Sequence, residues 1–276
     1  MNDSLQSAPL VMVFAGSDPT GGAGIQADIE ALASQGCQAA PVITAVTVQD
    51  TRGVKDYTAL SATLVIEQAR AVLEDMPVAA FKIGMLGRRD IVEAVHTLLH
   101  DYPNVPVVFD PVLASDSRYS FADETIKLAM TTLLLPQTTV LTPNSLEARA
   151  LAPSADSLDA CAQQLLDYGA EFVLVTGTHE PTPQVVNTLY GNRRQLETFA
   201  WERLPGSYHG SGCTLAAAVA GMLAQGLEPF TAIHEAQQYT WQALKHGYRP
   251  GKGQSLPNRL FWARVEEQRE HKQWKT

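Results

Sequence analysis

The sequence predicts an α/β fold: a three-layer α/β/α sandwich around a mainly parallel central sheet, with a small antiparallel hairpin at one edge. Short apolar runs bounded by glycine, proline or polar residues recur along the chain, as is typical of strands buried on both faces of a parallel sheet. Segments with helical periodicity lie between these runs, and such alternation forms right-handed βαβ units. The predicted strands are residues 10–15, 41–48, 79–83, 105–109, 138–141 and 171–176.

The first predicted helix follows the first strand, because Ile25, Ile29 and Leu32 repeat at helical spacing and Gly36 is suited to end the helix. Late in the chain, two segments with strand character flank a turn at residues 191–194 and predict the edge hairpin. The remaining predicted helices are residues 62–74, 90–99, 124–134 and 158–168, and the hairpin strands are residues 185–190 and 195–201.

Composition and charge exclude several classes of protein. Of the 276 residues, 45% are hydrophobic and 18% are charged, which fits a folded enzyme and not a disordered chain. The net charge is −9, with no basic run before the mixed-sign segment at residues 259–275, which argues against a nucleic-acid or membrane partner. Without a linker or internal repeat, the chain is predicted to be a single domain over residues 1–276, with flexible tails at 1–9 and about 264–276.

The cysteine pattern and the hydropathy predict a cytoplasmic protein. Cys37, Cys161 and Cys213 are widely separated, as expected of reduced thiols. The first residues do not follow the pattern of a signal peptide, and no apolar stretch reaches the roughly 18–20 residues that a membrane span needs.

A glycine-rich segment between the first strand and the first helix is the first candidate for ligand binding. It reads AGSDPTGGAG over residues 15–24, and its glycines let the backbone approach a ligand closely. It matches neither a Walker A loop nor a dinucleotide fingerprint. Asp28 follows at the border of the apolar face of the helix. It can face a ligand or serve as an acidic residue near a helix start, and the pattern does not decide between these.

The segment HGSGCT, residues 209–214, opens a helix that is apolar all round and therefore expected to be buried. The start of a buried helix leaves N–H donors without partners, and glycines let them converge on an anion. Cys213 falls in the first turn, where the helix dipole is expected to lower the pKa of its thiol. The alternative is a buried structural cysteine, the commonest fate of this residue type.

Two acidic or amide-bearing sites follow predicted strands. Asn144 and Glu147 stand three residues apart and can offer oxygens to a hydrated Mg²⁺. A helix N-cap with a capping-box glutamate explains the same spacing, and by spacing alone that alternative is favoured. Asp110 ends another strand, at the edge of the sheet where such folds bind ligands, although an aspartate can also simply start a turn.

Taken together, six segments resemble the hydroxymethylpyrimidine/phosphomethylpyrimidine kinases of the ribokinase-like superfamily in order and spacing. The resemblance covers about residues 10 to 250, and it implies ATP-dependent phosphorylation, with Mg²⁺, of 4-amino-5-hydroxymethyl-2-methylpyrimidine and then of its monophosphate, in thiamine biosynthesis. It also suggests a homodimer. The segments are AGSDPTGGAGIQADIEAL (15–32), VITAVTVQDT (42–51), KIGML (82–86), DPVL (110–113), TPNSLEA (142–148) and HGSGCT (209–214).

The resemblance implies a role for each matching residue. Gln49 matches the glutamine that hydrogen-bonds the aminopyrimidine edge, and Cys213 matches the proposed catalytic base, where sugar kinases carry aspartate. By the same resemblance the pyrimidine pocket is lined by Gly16, Asp28, Thr47, Gln49, Met85 and Val112. The anion hole is formed by Gly210, Ser211 and Gly212, and Mg²⁺ and the triphosphate are positioned, directly or through water, by Asp110, Asn144 and Glu147.

Three departures from the family pattern concern nucleotide binding. Residues 176–179 read TGTH where relatives carry a K-G-G-H-like block, Ser207 and Tyr208 replace an Asn-Thr pair, and residues 114–119 lack an S-G-D-like sequence. The nearest alternative is a pyridoxal or pyridoxine kinase of the same branch. A sugar kinase is disfavoured by Cys213, and a non-catalytic pyrimidine-binding sensor by the intact Gly210–Gly212 segment.

Overall fold

The computed structural model describes residues 8–115 and 119–263. The predicted tails therefore lie largely outside the described residues. Within them, the strands in chain order are β1 Leu10–Ser17, β2 Gln38–Asp50, β3 Gly53–Ala59, β4 Val78–Ile83, β5 Val107–Phe109, β6 Val140–Leu141, β7 Phe172–Val175, β8 Gln184–Gly191 and β9 Arg194–Glu202.

These strands form one sheet in the order β3-β2-β1-β4-β5-β6-β7-β8-β9. The six strands from β2 to β7 in this order run parallel to one another, which confirms the predicted parallel sheet. At one edge β8 and β9 pair antiparallel, with positive φ at Asn192 and Arg193, so the predicted hairpin is confirmed. At the other edge β3 pairs antiparallel with β2. The sequence analysis missed β3 because its residues alternate in burial and form no continuous apolar run.

Helices cover both faces of the sheet and give the predicted three layers. One hydrophobic core holds residues of α2 to α6, and the other holds residues of α1, α7 and α8. The helices are α1 Gly24–Ser34, α2 Ala62–Leu73, α3 Arg89–His100, α4 Glu124–Ala129, α5 Ser145–Leu151, α6 Leu158–Asp167, α7 Ser211–Ala224 and α8 Pro229–Lys245.

Helix α7 is the most deeply buried helix of its layer. Every residue from Thr214 to Leu223 is buried, as predicted from a segment that is apolar on all sides. It packs against α1 and α8 and against the central strands β1, β4 and β5. Its N-terminus therefore opens beside the carboxyl ends of those strands. Among the described residues, no helix combines the length and the apolar character needed to cross a membrane.

Candidate active site

A cavity of about 1060 Å³ opens at the sheet edge where the parallel strands end. Open α/β sheets bind their ligands at this edge. All the predicted site residues except Asp28 line the cavity: Gly16, Thr47, Gln49, Met85, Asp110, Val112, Asn144, Glu147, Gly210, Ser211, Gly212 and Cys213.

Gln49 presents an acceptor to the cavity. Its Nε2 donates to Oγ1 of Thr47 at 2.8 Å, and the Thr47 hydroxyl donates to the carbonyl oxygen of Ser17 at 2.9 Å. This chain of bonds fixes which way the side-chain amide points. Its Oε1 is buried and has no hydrogen-bond donor within the described part of the chain. Because a buried acceptor without a donor is costly, a ligand N–H is the natural partner for this oxygen.

An apolar wall adjoins the loop after β1. Met85 and Phe121 belong to a small buried cluster, and Val112 packs against it. Gly16 lies so close that a Cβ there would sit 3.3 Å from the Met85 sulfur. The aromatic rings of Tyr57 and Phe121 meet edge to face, with their centroids 5.5 Å apart. These contacts suit a flat ring with an apolar substituent.

The start of α7 lines the cavity at the predicted anion hole. Its N-cap, Gly210, has φ 85°, and no side chain among the described residues caps this helix start. The first amides of a helix have no partner within the helix, so those of Ser211, Gly212 and Cys213 are available to an anion. All three residues line the cavity, so the anion hole stays a prediction that the position of this helix start allows.

Gly210 and Gly212 are glycines for different reasons. A Cβ at Gly210 would lie 1.8 Å from the carbonyl oxygen of Gly22, so the fold itself requires glycine there. A Cβ at Gly212 would meet only the carboxylate oxygens of Asp110, at 3.8 Å, an ordinary contact. The protein therefore has room for a side chain at position 212. The absence of one keeps the space above Asp110 open to a ligand.

The Cys213 thiol lies among ionisable groups. The carboxylate of Asp110 and the amide of Gly24 are among its neighbours, and both affect its electrostatics. Burial, followed by the negative charges of Asp110 and Asp28, raises the pKa of the thiol to about 12, although Lys82 opposes this. The expectation of a lowered pKa at the helix start was therefore wrong. Loss of water and the carboxylates outweigh the helix dipole.

Asp28 is not in the pyrimidine pocket. Both it and Lys82 are fully buried, and the Lys82 Nζ lies 3.0 Å from each Asp28 carboxylate oxygen. Burial raises the pKa of Asp28 to about 6. Lys82 faces the cavity from strand β4, whereas Asp28 lies behind it on α1. Asp28, which the resemblance placed in the pyrimidine pocket, therefore holds Lys82 from behind and does not itself line the cavity.

Asp18 ties the glycine-rich loop to the anion-hole segment. Its carboxylate accepts hydrogen bonds from the amides of Thr20 and Ala23, each at 2.8 Å, and contacts His209 Nε2 at 3.0 Å. Burial favours the neutral acid, but the hydrogen bonds from His209, Thr20 and Ala23 outweigh it and lower the pKa of Asp18. The loop after β1 and the start of α7 are therefore joined by the contact between His209 and the buried Asp18 carboxylate.

Asn144 and Glu147 form a complete capping box at the start of α5. The Asn144 side chain accepts from the amides of Leu146 and Glu147, and the Glu147 carboxylate accepts from the Asn144 amide at 2.9 Å. The alternative favoured by their spacing is therefore confirmed. Within residues 8–115 and 119–263, no three His, Cys, Asp or Glu side chains are grouped as a metal centre.

Residues from each of the three departures from the family pattern line the cavity. Thr176, Thr178 and His179 line it, together with Tyr208. Arg203 holds the loop that follows β7, because its guanidinium donates to three carbonyl oxygens at 2.9–3.0 Å. Residues 116–118, within the third departure, lie outside the described residues.

Sequence reasoning assigned no role to three charged residues around the site: Lys82, Asp18 and Arg259. Lys82 interrupts the apolar strand β4, and a lysine there needs a buried partner, which is a signal that the sequence does contain. Arg259 stands in a segment read as a mixed-charge tail, yet it is only 1% exposed. Nothing in its sequence context distinguishes it from the tail.

The mainly parallel sheet, the antiparallel edge hairpin and the uncapped helix start beside the cavity define a ribokinase-like kinase of small molecules. Residues 18–258 match the family described as phosphomethylpyrimidine kinase. The chain belongs to this family.

Relatives identified by sequence similarity support the same family. The chain is 36% identical to the hydroxymethylpyrimidine/phosphomethylpyrimidine kinase of Synechococcus elongatus over 90% of this chain and 96% of that protein. It is 35% identical, over 88% of its residues, to the chloroplastic thiamine biosynthetic bifunctional enzyme TH1 of Arabidopsis thaliana, of whose length it spans 48%. The predicted assignment to the hydroxymethylpyrimidine/phosphomethylpyrimidine kinases is therefore confirmed.

Solved structures share the fold. The phosphomethylpyrimidine kinase from Clostridium difficile 630 is 32% identical, with a TM-score of 0.74 over 86% of this chain and 99% of that chain. The pyridoxal kinase from Staphylococcus aureus in complex with pyridoxal is 26% identical, with a TM-score of 0.85 over 94% and 96%. Both vitamin kinases confirm the predicted three-layer architecture.

Proposed function

We propose that the chain transfers the γ-phosphoryl group of ATP to 4-amino-5-hydroxymethyl-2-methylpyrimidine and then to the resulting monophosphate. One observation carries this proposal: a single cavity holds both the unpaired Gln49 oxygen and the uncapped amides at the start of α7. The oxygen suits the exocyclic amine of an aminopyrimidine, and the amides suit a phosphoryl group during transfer.

The orientation of the substrate follows from its contacts with Gln49 and with the amides at the start of α7. Gln49 accepts a hydrogen bond from the amine, and the wall of Met85 and Val112 packs against the ring. With the ring held in this way, the hydroxymethyl group points to Cys213 and the amides of Ser211 and Gly212. Fixing both reactants in one geometry removes much of the entropic barrier to transfer.

The proton of the substrate hydroxyl passes to Cys213 while the thiol proton passes to Asp110. Because the thiol pKa is raised to about 12, a free thiolate is scarce at neutral pH, and a relay through the neighbouring Asp110 takes its place. Phosphoryl transfer needs little covalent assistance before the transition state, so a late proton transfer suffices. In the second phosphorylation the nucleophile is a phosphate oxygen, and this relay matters less.

MgATP is a substrate of this reaction, and its triphosphate carries the metal to the site. Asp110 meets the metal directly or through water, and Asn144 and Glu147 contribute through water from their capping box. A Mg²⁺ titration of activity tests this: Asp110→Asn and Glu147→Gln should both raise the metal concentration required. An unchanged curve for Glu147→Gln would reduce that residue to a helix cap.

Pyridoxal is the second candidate substrate, because the likeness to the pyridoxal kinase from Staphylococcus aureus extends over nearly the whole chain with a TM-score of 0.85. Gln49 favours the pyrimidine. Its unpaired acceptor meets an exocyclic amine in that substrate, whereas pyridoxal offers a phenolic oxygen and a methyl group.

A coupled ATPase panel with hydroxymethylpyrimidine, its monophosphate, pyridoxal and ribose tests the assignment. We expect turnover with the two pyrimidines and at most weak turnover with pyridoxal. Preference for pyridoxal at matched concentrations would replace the thiamine assignment with a vitamin B6 kinase. No turnover with any of the four would favour a non-catalytic pyrimidine sensor. The homodimer and the cytoplasmic location expected from the sequence stay predictions, and sedimentation of the full chain tests the first.

A further inference from the structure

Arg259 is a buried arginine that contacts both loops of the site. Its side chain is 1% exposed. Its Nε donates to the Thr214 hydroxyl at 2.9 Å, and its two terminal nitrogens donate to the carbonyl oxygens of Gly21, at 3.2 Å, and Gly22. Within the described part of the chain its one charged partner is the half-exposed Glu30, at 3.0 Å. A buried cation held mainly by neutral carbonyls stabilises a fold poorly compared with apolar packing, which points to another role.

One arm of this contact network reaches the anion hole. The Thr214 hydroxyl, which accepts from Arg259, donates to the Gly210 carbonyl oxygen at 2.8 Å, and the Thr214 amide donates to the same oxygen at 3.0 Å. Because a trans peptide is planar, fixing this carbonyl also fixes the Ser211 N–H on the opposite side of the peptide. That amide is one of the anion-hole donors. Arg259 therefore acts on the direction of the Ser211 N–H through one intermediate side chain, that of Thr214.

The other arm fixes the glycine-rich loop. Arg259 holds the Gly22 carbonyl oxygen, against which Gly210 packs so tightly that a Cβ there would lie 1.8 Å away. The peptide that carries this oxygen turns its N–H, that of Ala23, toward the Asp18 carboxylate. Gly24, the first residue of α1, follows two residues later and neighbours the Cys213 sulfur. One guanidinium thus sets the spacing between the two segments that enclose the reacting atoms.

Arg259 is itself held in place by α8. The Asn258 amide donates to the Ala243 carbonyl oxygen at 2.9 Å, and the Tyr239 hydroxyl donates to the Arg259 carbonyl oxygen at 2.9 Å. These two hydrogen bonds therefore hold the backbone that carries the guanidinium. Arg259 lies just beyond the segment 18–258 that matches the family.

We propose that Arg259 is a positioning residue for phosphoryl transfer, which holds the anion-hole amides and the glycine-rich loop in register without touching the substrates. This inference rests on the proposed function only in taking the start of α7 as the site of transfer. Misplacement of reacting groups by about 1 Å can cost a hundredfold in rate.

The test compares Arg259→Met and Arg259→Lys with wild type in the first phosphorylation, at a temperature well below the unfolding midpoint of each variant. We expect kcat to fall by about a hundredfold in Arg259→Met, with KM for the pyrimidine changed less than about threefold. Arg259→Lys should recover little of the lost kcat, because a lysine ammonium cannot donate to three acceptors arranged as a fork. Glu30→Gln removes only the half-exposed ion pair, and Arg89→Met removes a surface arginine on α3, so both controls should match wild type.

A second readout does not depend on turnover. Binding of ADP with aluminium fluoride, a mimic of the phosphoryl group in transfer, should weaken in Arg259→Lys in parallel with kcat, while ADP alone binds as in wild type. If Arg259→Met does not fold, Thr214→Val breaks the same arm near the anion hole and should lower kcat by about tenfold.

The outcomes separate this inference from the assignment of function. Folded Arg259 variants with wild-type kcat and wild-type affinity for the mimic would overturn the positioning role. A wild-type chain that phosphorylates neither pyrimidine would instead overturn the proposed function. A fall in the unfolding midpoint with unchanged kcat would reduce Arg259 to a structural residue.

Discussion

The thiol of Cys213 lies beside the carboxylate of Asp110, at the carboxyl end of the central strand β5. The resemblance assigned these residues separate tasks, a base and a metal ligand. Their contact makes them one unit, in which the proton taken up by the sulfur can leave to the carboxylate. The raised pKa of the thiol is the consequence of burying it beside that negative charge.

Replacing the thiol should slow the first phosphorylation selectively. We expect Cys213→Ala to fold normally and to lose at least about a hundredfold in kcat with hydroxymethylpyrimidine, the scale of a general base, and to lose less with the monophosphate. Cys213→Ser should retain more activity than alanine, because a hydroxyl can relay a proton to Asp110. Single-turnover rates with each substrate measure this. Equal first-step rates in wild type and Cys213→Ala would leave the cysteine as a core residue.

A side chain at Gly212 should abolish turnover without damaging the fold. A Cβ there meets only Asp110, at 3.8 Å, so the protein tolerates alanine, and valine should be accommodated by the open cavity. Either side chain occupies the space in which the phosphoryl group is transferred. Gly210→Ala is the contrasting variant, since its Cβ would clash with the Gly22 carbonyl and it should unfold at lower temperature. Thermal melts and kcat together check this, and a stable, fully active Gly212→Val would mark an ordinary helix start.

Substrate specificity should depend on Gln49. Gln49→Leu leaves the exocyclic amine of the pyrimidine without its acceptor, and an unpaired buried polar group costs about 1–3 kcal/mol, or roughly 5- to 150-fold in kcat/KM. Any weak pyridoxal activity should scarcely change, because pyridoxal has no amine at that position. The measurement is kcat/KM for both substrates in both proteins. A parallel decline for the two substrates would indicate a loosened fold.

Asp18 should make the stability of the protein depend on pH in the acid range. Its pKa in the folded chain is lowered below the ordinary value of 3.8, so its contribution to stability is complete above that value and is lost as the pH falls through the lowered pKa. Asp18→Asn should therefore melt at a lower temperature than wild type at pH 7. The difference in melting temperature between Asp18→Asn and wild type should narrow as the pH falls below about 4. Melting curves from pH 7 to pH 3 check this, and a gap independent of pH would assign the loss to geometry and not to charge.

The sequence determined the layered fold and most of the site on its own. Apolar runs at β1, β4 and β5 predicted a buried parallel sheet because only strands covered on both faces have that composition. The motifs AGSDPTGGAG and DPVL fall where β1 and β5 end. The glycines at 210 and 212 predicted an anion hole because few other patterns open a buried helix. Strand β3 escaped prediction because an edge strand faces water and carries no continuous apolar run.

Tertiary structure alone decided the charges and partners around that site. The sequence pattern left Asp28 open as a ligand contact, yet the fold sets Lys82 between it and the cavity. The helix start favoured a lowered thiol pKa, but burial, together with the carboxylates of Asp110 and Asp28 from distant parts of the chain, raises it. Arg259, which looked like part of a tail, reaches Gly22 and Thr214 together. Local sequence carries propensity and spacing, whereas burial and electrostatic neighbours exist only once distant segments have packed against one another.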